Sequence, residues 1–579
     1  MPSTTSSVLF VAFFLFYFLS STDGLCKFTP ASPGWPSIAD WNALNSSLSG
    51  RLLRPLPPGA VCHLSEPDFN VTVCATVAEE WLTNSFHVNN PISSEWNNWN
   101  NDSCLPVSTD PCSGEGYPVY VINATSAEHV KLGVDFARKN NVRLNVKGTG
   151  HDYLGRSTAP NSLSIWTHNL HGITTHSSFE PQGCGYSIPT TAVTAAAGHG
   201  IGDVYLAIGP LNQIFVAGLS ETIGLGGYLT GGGHSPLSST YGLATDQVLE
   251  MELVTPGGDI VTINECQNTD LFWAMRGGGG STFGVMTSVT LKTFPAPTIT
   301  AYIVNITAPA DLDAFWSTMA YVLSQYPYLS DNGASGYTYM NPQQTSTNGT
   351  NPSSFTGLFY AFNTSISAIS ALFVPIQSYI NQSYPQSVFF SAKTYEIPDF
   401  YKYYLNYTDT AAVGSDILVS SRLLDGVALS KPLPVLKKTL KAAIPPGLPA
   451  NINLISGKGV WNAQPRGGSD AVNPAWRKAY AHFIVGVTWE PLNETAKKEL
   501  EWQLTYNYTQ ALRDLAPDSG AYVNEADKYE PNWQQTFWGS NYPRLLEIKR
   551  AVDPTNVLWC HPCVGSEGWK MFGNDLCEI

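Results

Sequence analysis

The sequence predicts an α+β fold of more than one unit. Three observations carry this: a strand-helix-strand run that ends in a glycine turn, two further glycine clusters linked to a hairpin signal, and a long mixed stretch where such turns thin out. At 579 residues the chain exceeds the usual domain length of roughly 100 to 200, so two or three domains are expected. Apolar residues make up 43% and charged ones only 13%, a composition for packed cores that excludes a disordered chain.

Residues from about Cys26 to Cys112 are rich in Trp, Asn, Pro and Cys without long periodic stretches, which predicts an irregular N-terminal layer. Order begins near Tyr117. Val119 to Ile122 reads as a short strand, Thr125-x-x-Glu128 as a capping box, and Val130, Val134 and Ala137 recur at helical spacing. Val142, Leu144 and Val146 then alternate with polar residues and run into Gly148-Thr149-Gly150-His151. A second tract runs from Thr222-Ile223-Gly224-x-Gly226-Gly227 to Gly231-Gly232-Gly233-His234, followed by Tyr241-Gly242-Leu243-x-x-Asp246-x-Val248. Leu249 to Val254, Pro256-Gly257-Gly258-Asp259 and Ile260 to Ile263 predict a hairpin. Arg276-Gly277-Gly278-Gly279-Gly280-x-x-Phe283-Gly284-Val285 is the third cluster, and Val285 to Phe294 continues as a strand. From about Ala296 to Leu500, Tyr, Phe, Ser and Asn rise, which marks a separate unit. The last segment carries a helix bearing Leu545, Ile548 and Val552, expected to pack back on the glycine-turn region.

Acidic residues outnumber basic ones, 45 to 30, and the clustered Lys and Arg that a phosphate backbone requires are absent, so nucleic acid is excluded as a partner. The apolar run Val8 to Leu19 is shorter than the about 20 residues of a membrane helix and suits a signal peptide, although no positive charge precedes it. N-x-S/T acceptor sites spread from Asn45 to Asn507, Asn348 among them, agree with secretion, and no membrane anchor is expected. Ten cysteines in an oxidising compartment favour disulfides that staple both ends, with pairing left open. Cys560-His561-Pro562-Cys563 resembles half of a zinc or redox motif but has no second pair at a useful spacing, so a structural disulfide is expected and no metal is assigned.

Glycine close to a phosphate lets backbone N–H groups approach the anion, yet glycine runs are more often simple turns. None of the clusters fits the Rossmann fingerprint, since Leu229 stands where Gly224-x-Gly226 would need its third glycine. Taken in order, however, Lys147-Gly-Thr-Gly-His151-Asp-Tyr153-x-Gly155-Arg156-Ser157, the Thr-x-Gly-x-Gly-Gly tract with Tyr-Gly-Leu-x-x-Asp-x-Val, and Leu-Phe-Trp-Ala-x-Arg-Gly-Gly-Gly-Gly-x-x-Phe-Gly-Val resemble the vanillyl-alcohol-oxidase-type flavoproteins. The berberine-bridge-enzyme-like branch is the nearest, and the Cys-rich segment is most similar to fungal isoamyl-alcohol-oxidase-like members. The resemblance implies a two-part FAD-binding domain of the PCMH type with an inserted antiparallel-sheet substrate domain. The expected divisions are a signal peptide 1–24, the Cys-rich segment 25–115, the FAD-binding domain 116–296, the substrate domain 297–510 and a berberine-like return 511–579.

By the same resemblance His151 bonds covalently to the FAD. Lys147, Gly148, Thr149, Gly150, Gly155, Arg156, Ser157, Thr222, Gly224, Gly226, Gly227, Gly231, Gly232, Gly233, Gly242, Asp246, Val248, Gly284, Val285, Asn541 and Tyr542 form its cradle. Many relatives add a cysteine tether where this chain has Ser220, so a single tether is expected. Oxidation requires a hydride to leave a substrate carbon while a base takes the adjacent proton. His234 and Glu525 stand where relatives place active-site tyrosines and are the candidate bases, with Tyr153 on the substrate side. The base stays open between them; an acidic residue that other relatives carry on a substrate-domain strand has no counterpart near Ser456 to Asn462, where Lys458 is the only charged residue. Ile223 occupies a position that the resemblance connects with oxygen access. The implied function is a secreted, monomeric FAD-linked oxidase of a small alcohol that uses O2 and yields H2O2. Flavin-dependent desaturation or oxidative cyclisation is the alternative, and a secreted flavin-binding glycoprotein without turnover is the alternative of another class.

Overall fold

A computed structural model describes residues 26–310, 312–342, 344–346, 349–406 and 411–579. The expected signal peptide and the acceptor Asn348 lie outside the described residues. Among the described residues no helix is long and apolar enough to cross a membrane.

The strand-helix-strand run forms as Tyr120–Asn123, the helix Ala127–Lys139 and Leu144–Lys147, with Val130, Val134 and Ala137 buried as their spacing requires. The helix begins one residue later than the capping-box reading. Ser126 is the N-cap, its hydroxyl accepting from the His129 N–H, while Glu128 stays in the first turn. With Leu52–Leu53 as β1, Tyr120–Asn123 as β2, Leu144–Lys147 as β3 and Leu163–Trp166 as β4, the first sheet has the order β1-β2-β4-β3, so β4 inserts between the two strands of the run. β2, β4 and β3 are parallel. Their carboxyl ends open on a crevice, the place where α/β sheets bind ligands, and the first glycine turn leaves the end of β3 there.

A second, antiparallel sheet is built from Ile173–His176 (β5), Ala192–Ala196 (β6), Val248–Val254 (β7), Ile260–Asn264 (β8) and Val285–Lys292 (β9), in the order β5-β6-β9-β7-β8. β7 and β8 are the expected hairpin, and its turn uses Gly258 at φ +90°, a left-handed conformation costly for other residues. The helix Tyr542–Val552 returns to this half: Leu545 and Ile548 are buried in its core and Val552 packs against it.

The third sheet has seven strands, all antiparallel: Ile299–Ala308 (β10), Ser335–Asn341 (β11), Ser353–Phe362 (β12), Phe389–Ile397 (β13), Asp416–Asp425 (β14), Ala450–Leu454 (β15) and Ala479–Trp489 (β16). Their order is β13-β10-β12-β11-β15-β16-β14. Val304, Ile306, Phe359, Phe483 and Val485 fill a second core beneath one face. The opposite face meets the glycine-turn half through a small cluster of Leu243, Leu423, Val472, Trp476 and Tyr522.

Five disulfides use all ten cysteines: Cys26–Cys577, Cys62–Cys74, Cys104–Cys112, Cys184–Cys266 and Cys560–Cys563. The first joins the two ends of the described chain to each other.

The seam also holds charge. Arg477 bridges Asp246 and Asp470 at 2.7 and 2.9 Å, with both carboxylates almost fully buried. Burial, and then the neighbouring Asp470, push Asp246 above the usual carboxylate range even with Arg477 beside it. Replacing Arg477 by Ala leaves two buried acids facing each other. Loss of one partner from such a network costs about 3 to 5 kcal/mol, so Arg477→Ala should lower the melting temperature well below that of the parent chain in a thermal unfolding scan.

Candidate active site

The three glycine turns converge on one open cavity. The first turn brings Gly148, Thr149, Gly150 and His151 to its wall, with Tyr153, Arg156 and Ser157 just beyond. Gly150 sits at φ +96°, which lets the chain reverse at the end of β3. His151 is held on both sides: Nδ1 lies 3.0 Å from Glu95 Oε2 and Nε2 lies 2.7 Å from Thr222 Oγ1. Glu95 comes from the Cys-rich layer and its side chain is 1% exposed. Its backbone N–H donates to Gly150 O at 3.2 Å, and its carbonyl accepts from Gly414 N at 2.8 Å at the entry to β14. The next residue, Trp96, stacks on Tyr153 with centroids 4.9 Å apart.

The second tract contributes Gly224, Gly226 and Gly227, with Ser220 and Ile223 before them. Gly224 N donates to Thr149 Oγ1 at 3.2 Å, which binds the two turns together. The third adds Gly280, Ser281, Gly284 and Val285. The C-terminal return closes the cavity with Tyr522, Asn524 and Glu525. Arg156 ties it to the first turn, since Arg156 Nη2 donates to Asn524 Oδ1 at 2.9 Å.

The two candidate bases lie together but not side by side on the wall. Glu525 lines the cavity, whereas His234 is not among the lining residues and stands behind it, its Nε2 3.1 Å from Glu525 Oε1. Tyr228 fixes the histidine's backbone by donating to His234 O at 2.7 Å. Behind the other carboxylate oxygen is His482, Nδ1 3.6 Å from Oε2, from the middle of β16. Burial pushes the Glu525 carboxyl up, but His234, by charge and hydrogen bond, outweighs it and holds the group below its ordinary value. Burial, with His234 nearby, takes His482 down to about 3 despite the Glu525 carboxylate beside it, so its ring is neutral.

Several expected cradle residues sit elsewhere. Lys147 is buried beneath the first turn and donates to His87 O at 3.0 Å; burial lowers it to about 7. Gly155 turns at φ +75° against the Trp99 ring, where a Cβ would come within 2.6 Å. Thr222 reaches the cavity only through His151. Gly231 packs on the Asn524 side chain, and the carbonyls of Gly232 and Gly233 accept from Thr245 and Ala244. Gly242 lies against Asp246, whose carboxylate is spent on Leu243 N and Arg477, and Val248 is core. Asn541 donates to Val472 O at 2.9 Å, and Tyr542 donates to Glu567 at 2.7 Å. Lys458 is exposed and donates to Asp331 O. Glu95 and His482 were not legible as site residues. Glu95 lies in a stretch without periodicity, while His482 did leave a signal, one histidine within the apolar run Ala481 to Val487.

Comparison with known proteins points to a family of flavoproteins. Residues 118–264 match the FAD binding domain family, and residues 521–565 match the family described as berberine and berberine like. An uncharacterized FAD-linked oxidoreductase of Arthroderma benhamiae is 37% identical over 96% of each chain. The bifunctional decalin synthase calF of Penicillium decumbens is 31% identical, again over 96% of each. The crystal structure of the VAO-type flavoprotein MtVAO713 from Myceliophthora thermophila superposes with a TM-score of 0.89 at 28% identity, covering 96% of this chain and 100% of that one.

The cavity fits a flavin dinucleotide. A Cβ built on Gly227 meets nothing within 4 Å, so a side chain there would occupy the cavity rather than the core. Ser157 Oγ, Ser220 Oγ and Arg156 Nη1 are buried at the wall and, among the described residues, have no hydrogen-bond partner. Gly227→Leu should therefore keep the parent far-UV circular dichroism while flavin occupancy of the purified protein, read from the visible spectrum, falls well below that of the parent.

Proposed function

The chain belongs to the FAD-linked oxidoreductases of the vanillyl-alcohol-oxidase type with a berberine-like C-terminal segment, and from that premise we propose that it oxidises a small alcohol to a carbonyl, with Glu525 as the base. Held by His151 and the glycine turns, FAD would supply a two-electron acceptor for the substrate hydride, with O2 as the final oxidant giving H2O2. The protein's part is to hold the cofactor, exclude water and take the hydroxyl proton.

The observation that carries the reading is the placement of Glu525: an ionised carboxylate on the wall of the cavity that the glycine turns line, backed by an imidazole at 3.1 Å. A carboxylate can accept the proton as the C–H bond breaks, and His234 behind it stabilises the ionised form beforehand. His234 thus acts through Glu525 in this reading. Tyr153, braced by Trp96, offers an aromatic wall to the substrate, and His151 is the covalent anchor of the FAD. Ser220 at the cavity cannot form the thioether of a second tether, so His151 carries the attachment alone. Five disulfides and the spread of acceptor asparagines support action in the secretory lumen or outside the cell.

A second reading, oxidative cyclisation or desaturation of a natural product, uses the same groups. It is favoured by the likeness to a protein named a decalin synthase. A peroxide-coupled screen of alcohols beside a product-mass screen of cyclisation substrates separates the two.

Glu525→Gln should retain flavin and slow its anaerobic reduction by substrate about 10²- to 10⁴-fold, the usual contribution of a general base. In the parent enzyme the reduction rate should fall only on the acid side, as Glu525 takes up a proton, with that limb below the ordinary glutamate value of about 4.3. Unchanged reduction by Glu525→Gln would refute the assignment.

A further inference from the structure

Glu525 lies between two imidazoles, and the reading above uses only one. His482 is carried by β16, whose neighbours Ala481, Phe483 and Val485 point into the second core. His482 points the other way, toward the seam, and is fully buried there. Its register partners are Leu423 on β14 and Asn453 on β15, and the Asn453 side chain is taken up by Thr338 N. Among the described residues neither ring nitrogen of His482 has a hydrogen-bond partner. A buried imidazole without partners costs free energy that an apolar residue of similar size would avoid, so its presence calls for a reason outside packing. The nearest ionised group is Glu525, with Oε2 3.6 Å from Nδ1.

We propose that His482 is a positioning residue for Glu525, the second of two rings that keep the carboxylate ionised and turned to the cavity. The proposal rests on the reading of Glu525 as the base. Other titratable groups around the carboxylate are His234 from the second glycine tract, Tyr522 from its own segment, Tyr337 of β11 against His234, and Arg156 through Asn524. Only the two histidines come within 4 Å of its oxygens as ion-pairing partners among the described residues. His482 is neutral, so it acts as an N–H dipole: the Nδ1–H tautomer directs its positive end at Oε2 and favours the charged carboxylate. Being rooted in a strand paired on both sides and fully buried, it also gives the carboxylate a fixed reference that a loop could not.

The test needs no substrate. Glu525 shares the cavity with the flavin, so its ionisation should perturb the flavin absorption band, and the midpoint of that change with pH is measured on the holoenzyme. Glu525→Gln should abolish the transition. His482→Leu should move its midpoint upward by about half a pH unit or more, the direction expected when a donor to the ionised form is removed. His482→Gln, which restores an N–H donor, should bring it most of the way back. Met is measured beside Leu at this position, so that either variant holding flavin at the parent level decides the matter. A midpoint unchanged in His482→Leu or His482→Met, with the transition absent in Glu525→Gln, overturns the role of His482 while leaving Glu525 in place. A transition that survives in Glu525→Gln overturns the base reading and this inference with it.

Discussion

The contact of His151 with Glu95 on one side and Thr222 on the other is the constraint on which the site depends. A carboxylate as buried as Glu95 is costly without a partner, and His151 supplies one. In return the imidazole ring is held at the cavity wall, and a covalent bond to the flavin would take one of its two nitrogens and replace the contact there. The three residues belong to the Cys-rich layer, the first glycine turn and the second. One contact therefore ties three segments remote in sequence around the same space. The backbone repeats the link: Glu95 binds Gly150 through its N–H and Gly414 through its carbonyl, so the first glycine turn is coupled to the seven-stranded sheet through the N-terminal layer.

The other side of the cavity follows the same physics with opposite chemistry. Burial opposes the ionised form of Glu525; of the two histidines behind it, His234 outweighs that by charge and hydrogen bond, and His482 faces the other oxygen as a neutral ring. They come from different halves, His234 from the glycine tract and His482 from β16, so the carboxylate is set only when the halves are docked. Docking relies on the apolar cluster around Trp476 and Tyr522 and on Arg477 between Asp246 and Asp470. Asp246 thus has a structural explanation, since its carboxylate holds the seam.

Much of this was legible in the sequence where the determinants are local. The hairpin of β7 and β8 follows from Pro256-Gly257-Gly258-Asp259, and the helix Ala127–Lys139 from the spacing of Val130, Val134 and Ala137. Its cap moved by one residue because Thr125 and Ser126 can both cap, and only backbone geometry decides which hydroxyl meets the His129 N–H. The glycine turns and Glu525 were legible because each is a motif in one stretch of chain. Glu95 was not, lying in a segment whose order comes from disulfides and side-chain contacts without periodicity. The stretch Ser456 to Asn462, which lacks the acidic residue that the resemblance places on a strand, holds the short helix Lys458–Trp461, while His482 faces the seam from the next strand. The link from Asp246 to Arg477 spans 231 residues, and no local pattern encodes it.

The central claim, that the ring clamped by Glu95 and Thr222 is the anchor of the cofactor, is tested most directly by proteolysis of the holoenzyme and mass analysis of the peptides. The account predicts one flavin-bearing peptide, the one containing His151, with the peptide containing Ser220 unmodified. Free FAD in the digest together with an unmodified His151 peptide would contradict it.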